Sequence, residues 1–370
     1  PCQSDRGKRS WRLKFDVERK DAPDSLRHGE GHQERRRGRT SSAIERCPQG
    51  TLIDPSKVTV ADYLRSWLDG QTDLSPVSVE RYKDIVERQT IPIIGEIELQ
   101  KLKPIHIRDW LSGMLKRGGC RGDGTLSARS VNHALRVIRT ALAAAVKLEL
   151  LSRNVAAIVD APKVEVDEIE ILDAGQIATV LDALRGSRLH PIASLALASG
   201  CRRGELLALR WSDIDRAVLK VERSLEQTRA GLRFKGPKSK NGRRSISLPP
   251  FAVTMLDAHR REQLELRMKL GMGKPKLDAL VFCNHDGEPI APNHLSVMWR
   301  RAIAGLDVPK VTFHALRHSH ASALIAEGVD LVTISKRLGH ASANFTLSVY
   351  AHLFRKTDDT AATAIEKALG

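Results

Sequence analysis

The segment "SARSVNHALRVIRTALAAAVKLEL", residues 127–150, places Val131, Leu135, Ile138, Leu142 and Val146 at steps of three and four, with Arg129, Arg136, Arg139 and Lys147 around them. That spacing is the period of a helix, and a helix this long with one apolar stripe needs other helices to cover it. Three upstream segments can do so. "TVADYLRSWLDG" offers Thr59 as a cap with Asp62 three residues on, and Val60, Tyr63, Leu64, Trp67 and Leu68 on one face. "SPVSVERYKDIVERQ" opens with Ser75 as cap and Pro76 at the first helical position, and "IHIRDWLSGMLKRG" carries Ile107, Trp110, Leu111, Met114 and Leu115. Residues 57–160 therefore read as a bundle of about four helices.

With 370 residues the chain has room for a second core. "NVAAIVDAPKVEVDEIEILD" loses the helical period and contains Pro162, so 161–170 reads as an exposed connection. Past it, a helix starts at Asp173 with Ile177, Val180, Leu181 and Leu184 inward, and short strands follow around "AVLKVE", "GLRFK" and "RSISLP". The rest, from Phe251, is mostly helical in pattern. The fold class expected is mainly α with a small antiparallel β-sheet, an α+β chain whose second domain spans 171–370. Toward the start, "SWRLKFDVE" alternates as an edge strand. Between Asp21 and Gly50 the apolar residues are Ala22, Leu26, Ala43, Ile44 and Cys47, and "ERRRGR" is a block of like charge, which suits disorder.

Sixty Lys and Arg against 44 Asp and Glu leave a net charge of +16, a footprint that suits nucleic acid and is shared by many basic proteins that bind none. The five cysteines are odd in number and widely spaced, with no Cys-x-x-Cys pair, so they read as reduced thiols in a cytoplasmic protein. No stretch reaches the roughly eighteen apolar residues of a membrane span, and no apolar core follows the first charges to make a secretory signal.

Polar residues then appear where a purely structural helix would be apolar. In "TFHALRHSHASALIAEG", Thr312 can cap, Leu316, Ala323 and Leu324 can face a core, and His314 and Arg317 share a face. A surface histidine beside a solvated arginine would look the same. His314, His318 and His320 have spacings a metal could use, but no carboxylate lies among them and Arg317 stands in the middle, so no metal is expected. In "ASGCRRGELLALRWSD", Gly200 makes a turn, and Glu205 lies three residues past Arg202 and can hold it, as an ordinary surface ion pair would. "FKGPKSKNGRRSISLP" puts Lys238 or Lys240 at the tip of a loop between strands, where a lysine can protonate a leaving oxygen or simply be solvated. In "RLGHASANFTLSVYAHL", His340 follows a glycine and Tyr350 lies in a polar stretch instead of a continuous apolar face.

Two arginines, two histidines, a lysine and a tyrosine suit one chemistry. An oxygen attacking a phosphodiester builds charge on the nonbridging oxygens, which two guanidinium groups can stabilise without a metal. The phenol must lose a proton and the departing sugar oxygen must gain one. The set Arg202, Lys238, His314, Arg317, His340 and Tyr350, in that order, resembles the tyrosine recombinases of the phage-integrase type over residues 57–370.

The resemblance implies a site-specific recombinase that cuts and rejoins DNA through a 3′-phosphotyrosyl link on Tyr350 and a freed 5′ hydroxyl, with no cofactor. It implies that His314 assists proton transfer at the tyrosine, that His340 supports the phosphate, that Lys238 (or Lys240) is the general acid, and that Glu205 supports Arg202. The bundle would be the core-binding domain, the partner double-stranded attachment-site DNA, and the assembly a homotetramer on DNA with accessory bending or directionality proteins. "DDTAATAIEKALG" would dock on a neighbouring protomer, or pack on its own chain. Two departures stand out. Ser199 replaces a common threonine, and "RSWRLKFDVE" resembles the first strand of an arm-DNA-binding domain whose remaining strands and helix do not follow, so residues 1–56 read as a degraded or disordered remnant. A catalytically silent DNA-binding remnant of an integrase and a type IB topoisomerase are the alternatives.

Overall fold

A computed structural model describes residues 54–117, 126–165, 169–237, 242–276, 278–354 and 358–369. The strand expected at 10–18, the disorder expected over 21–50, nearly all of the 1–56 remnant, and both Lys238 and Lys240 lie outside the described residues.

The helices expected near the start form where their caps place them. Thr59 accepts from the Asp62 amide to open α1 (Val60–Asp69), and Ser75 with Pro76 opens α2 (Pro76–Asp84). That helix runs on through one π-helical stretch, Ile85–Thr90, into α3 (Ile91–Ile94). The Thr90 hydroxyl donates to the Ile85 carbonyl, 3.0 Å, across the widened turn. The bundle is completed by α4 (Pro104–Arg117) and by α5 (Ala128–Lys147), capped by Ser127. The stripe that fixed the reading is buried: Val131, Leu135, Ile138 and Leu142 pack with Leu64, Trp67, Ile107 and Trp110. Trp110 donates to the Gln89 carbonyl and Tyr63 to that of Ala141, both at 2.6 Å, so neither aromatic buries an orphaned polar atom. Val155, Ala156 and Val159, which precede the connection expected at 161–170, are buried against this core.

A separate core surrounds α6 (Ala174–Leu184), opened by a reciprocal cap between Asp173 and Gln176, the almost wholly buried α7 (Leu189–Ser199), and the short α8 (Arg203–Leu207). Strands β1 (Ile214–Asp215), β2 (Val218–Val221) and β5 (Arg244–Ser247) form one antiparallel sheet in the order β1-β2-β5, and β3 (Ser224–Thr228) pairs with β4 (Gly231–Lys235) in another. The lysine segment reads in sequence as the turn of a hairpin, but β4 and β5 on either side of it do not pair with each other. It crosses from β4 in one sheet to β5 in the other. Then come α9 (Pro250–Lys269), α10 (Pro292–Ile303), α11 (Ala315–Ala326), α12 (Leu331–Leu338), α13 (Ala343–Phe354) and α14 (Asp358–Leu369). Trp299 of α10 meets Phe313 edge-on at 5.5 Å and donates to the Val311 carbonyl, which fixes the chain entering α11. Thr312 does not cap that helix; His314 takes the cap position. Helices α11, α12 and α13 close a smaller apolar cluster of Ala321, Ile325, Ile334, Leu338 and Tyr350. Among the described residues, no helix is long and apolar enough to cross a membrane.

Candidate functional site

The site is built on the end of α7. Gly200 takes a left-handed conformation, φ 65°, and a Cβ there would lie 2.5 Å from the His320 ring, so the position demands glycine on two counts. Ser199 is buried and satisfied, its hydroxyl donating to the Leu195 carbonyl at 2.6 Å. The chain then turns into α8 with Arg202 at its cap. Glu205, buried, accepts from the Arg202 amide and from its Nη1, both at 2.8 Å. A second arginine completes the clamp: Arg244 of β5 donates to both Glu205 oxygens, 3.2 and 2.8 Å, and to the carbonyls of Arg337 and Gly242. Burial alone would raise the Glu205 carboxyl; the bonds and charges of Arg244 and Arg202 hold it below the usual carboxylate range.

Arg317 reaches the same place from α11. Its side chain is buried and donates to the Gly200 carbonyl and to the Leu338 carbonyl, each at 2.7 Å. Arg202 donates to the next carbonyl, that of Gly339, at 3.1 Å. Two guanidinium groups are thus hung from consecutive peptide units at the end of α12, immediately before His340. Burial and the neighbouring Arg202 push Arg317 down to about 10, with Glu205 opposing. His340, buried, contacts the Thr346 hydroxyl through Nδ1 at 2.7 Å, and burial together with Arg317 and Arg202 brings its titration to about 4. His320 braces the elbow from behind. Its Nδ1 faces the Leu197 carbonyl at 2.6 Å and its Nε2 faces Arg337 Nε at 3.1 Å, so Nδ1 must donate and Nε2 accept, which fixes one neutral tautomer.

The third part is the phenol. Tyr350 is 1% exposed, and its oxygen lies 2.7 Å from His318 Nδ1. Burial pushes it up to about 12, against a lowering pull from Arg317. The expectation that Tyr350 sits in a polar stretch is corrected here: the α13 segment looks polar in sequence, but its inward face closes on α11 and α12. His314 is exposed at the start of α11, and its ring meets that of His318 edge-on at 4.9 Å. Desolvation, then His318, Arg317 and Arg202, lower His314 to about 4.

Arg202, Glu205, Arg317, His314, His340 and Tyr350 accordingly share one neighbourhood, each of the histidines and the tyrosine feeling the charge of Arg317. For Lys238, only the roots of its loop are described. Pro237 and Gly242 approach so closely that a Cβ on Gly242 would fall 2.3 Å from Pro237, and Arg244 holds the Gly242 carbonyl beside Glu205. Sequence reasoning missed Arg244 as a site residue and weighed His318 only as a metal ligand. Their contacts are to residues 39 and 32 positions away, and no local pattern reports such pairs. Among the described residues, no three His, Cys, Asp or Glu side chains gather as a metal-ligand set.

The phage integrase family profile matches residues 170–357, and the profile of the phage integrase N-terminal SAM-like domain matches residues 59–115. The chain is similar to a XerC-like tyrosine recombinase of Caldanaerobacter subterraneus subsp. tengcongensis, 27% identical over 330 residues, covering 83% of this chain and 82% of the relative. It is similar to an integrase of Streptomyces ambofaciens, 28% identical, with 86% and 82% covered. In fold it resembles the Tn1549 transposon integrase in complex with transposon right end DNA, with a TM-score of 0.72 at 19% identity over 84% of this chain and 100% of that one. It also resembles a lambda integrase dimer bound to a core site, with a TM-score of 0.60 at 20% identity over 79% and 95%.

Proposed function

The chain belongs to the phage integrase family and is a site-specific DNA recombinase of the tyrosine type, and from that premise we propose that Tyr350 is its nucleophile and that Arg202, Arg317 and His340 hold the scissile phosphate. The observation that carries this reading is the pair of guanidinium groups on the consecutive carbonyls of Leu338 and Gly339, next to His340 and with Tyr350 in the field of Arg317. In the reaction, the Tyr350 oxygen attacks phosphorus and the bond from phosphorus to the 5′ oxygen breaks. Two fixed forks of donors meet the charge that grows on the nonbridging oxygens. Glu205, shared by Arg202 and Arg244, fixes the first fork.

The phenol proton passes to His314, the exposed imidazole whose ring packs on that of His318, the partner of the phenol. Lys238, between Pro237 and the Gly242 whose carbonyl Arg244 holds, gives its proton to the departing 5′ oxygen, with Lys240 as the alternative for that role. The phosphodiester is kept as a 3′-phosphotyrosyl bond, so a 5′ hydroxyl from another strand can reverse the step without nucleotide or metal. Residues 57–160 serve as the core-binding domain, 161–170 as the connection and 171–370 as the catalytic domain. The partner is double-stranded attachment-site DNA in the cytoplasm. A homotetramer on DNA is supported by the exposed Ile365 and Leu369 of α14, which leave that helix an apolar side for a neighbour.

Trapping tests the assignment. A duplex nicked close to the cleavage point loses its 5′ fragment after attack, so wild-type protein should retain DNA covalently and Tyr350→Phe none. No adduct from wild type would leave a DNA-binding remnant as the reading. Relaxation of supercoiled plasmid lacking an attachment site would favour topoisomerase action.

A further inference from the structure

A nucleophile that must meet DNA is here 1% exposed. Its hydroxyl lies against His318 Nδ1 at 2.7 Å, the ring centroids 5.7 Å apart, and its body is enclosed by Ala321, Ile325, Ile334 and Leu338. A phosphate cannot reach that oxygen unless α13 shifts on α11 and α12. The apolar cluster opposes such a shift without direction or register. The hydrogen bond is different in kind, because it satisfies the one polar atom of a buried side chain, and losing it leaves a buried hydroxyl without a partner. His318 is itself held in place, following the buried Arg317 on α11 and packed edge-on against His314.

We propose that His318 is the positioning residue of the nucleophile: it holds the Tyr350 hydroxyl in the buried resting pose and so sets how readily the phenol is released to attack. The inference rests on Tyr350 being the nucleophile. It gives the two imidazoles separate tasks, His318 holding the phenol within the cluster and His314 receiving its proton on release. Any DNA-bound arrangement that draws α13 away from α11 must break this contact.

The test compares His318→Phe, which keeps a ring but removes the partner, with His318→Asn, whose carboxamide sits near the position of Nδ1 and can restore the bond. Two measurements are made on the full chain: nitration of Tyr350 by tetranitromethane, located by mass spectrometry, and the rate of covalent adduct formation on the nicked duplex. The buried Tyr63 and the half-buried Tyr82 are internal references for nitration. H318F should raise both rates by roughly two- to tenfold, the range that losing one neutral hydrogen bond implies, and H318N should return both toward wild type. Equal protection of Tyr350 in H318F, or a slower adduct from an H318F protein of native circular dichroism, overturns the proposal. Should H318F fail to fold, His318→Ala makes the same comparison. If nitration responds as expected but wild type forms no adduct, His318 still holds the phenol, but the nucleophile assignment of Tyr350 falls and the positioning role falls with it.

Discussion

His320 and His340 are buried imidazoles brought down to about 4, in each case by burial first and by arginine charge after it. The same side chains titrate near 6.5 in an unfolded chain. Between those values the unfolded protein binds protons that the native protein refuses, so stability is full above about 6.5 and is lost as the pH falls toward 4. Each group can add a slope of about 1.4 kcal/mol per pH unit inside that window. Urea unfolding midpoints between pH 7.5 and 4.5 should therefore fall steeply, and His320→Gln should flatten the fall while lowering the midpoint at pH 7.5, since Gln cannot serve both the Leu197 carbonyl and Arg337 as the ring does. An unchanged slope in that variant would mean His320 is protonated in the folded protein. The candidate site was read from the sequence as six residues in order, Arg202, Lys238, His314, Arg317, His340 and Tyr350. Their supports were not. Arg244 stands beside Arg243 in "NGRRSISLP", and nothing local says that one arginine faces the exposed Glu222 while the other is buried on Glu205.

At the level of the element, the caps and the breaks were readable because their physics is local. Thr59, Ser75, Ser127 and Asp173 each satisfy helix amides within three residues of themselves. Strand partnership was not readable. The run from β4 to β5 looks like a hairpin until each strand is seen to pair elsewhere, with β3 and with β2, and this choice is made by burial of Leu225, Leu219 and Ile246. The elbow after α7 falls between these cases, since its glycine is obvious and the reason for it is distant. Gly200→Ala tests that reason. It meets a left-handed backbone and a ring at 2.5 Å, whereas Gly186→Ala meets the same kind of backbone, φ 72°, with nothing within 4 Å. Gly186→Ala should cost about 1 kcal/mol from conformation alone. Gly200→Ala should cost on the order of 2–4 kcal/mol and should slow DNA cleavage besides, because Arg317 is anchored on the Gly200 carbonyl. Equal costs in thermal melts would show that His320 moves aside freely.

Across the whole molecule, ion pairs consume charges of both signs equally and leave the positive excess intact. Acidic side chains of the bundle are engaged locally, Glu87 by Arg65 and Asp84 by both Arg88 and Arg229, and the last of these ties the tip of the β3–β4 hairpin to α2, so that the two cores touch through charge as well as through the connection. The pairs are exposed, so each adds little to stability. The full +16 is therefore left for an outside polyanion. Binding to duplex DNA should then be governed by counterion release. Plotting the logarithm of affinity against that of salt concentration should give a line falling by about 0.9 for each phosphate contacted, and a protein using six to ten contacts would lose roughly a thousandfold or more between 50 and 200 mM. Tyr350→Phe should lie on the same line as wild type, since the phenol carries no charge and is buried at rest. Arg202→Ala should lie on a shallower one, by about one phosphate. A nearly flat line for wild type would mean that the basic surface is not the DNA-binding surface, and that specificity must come from a small uncharged contact instead.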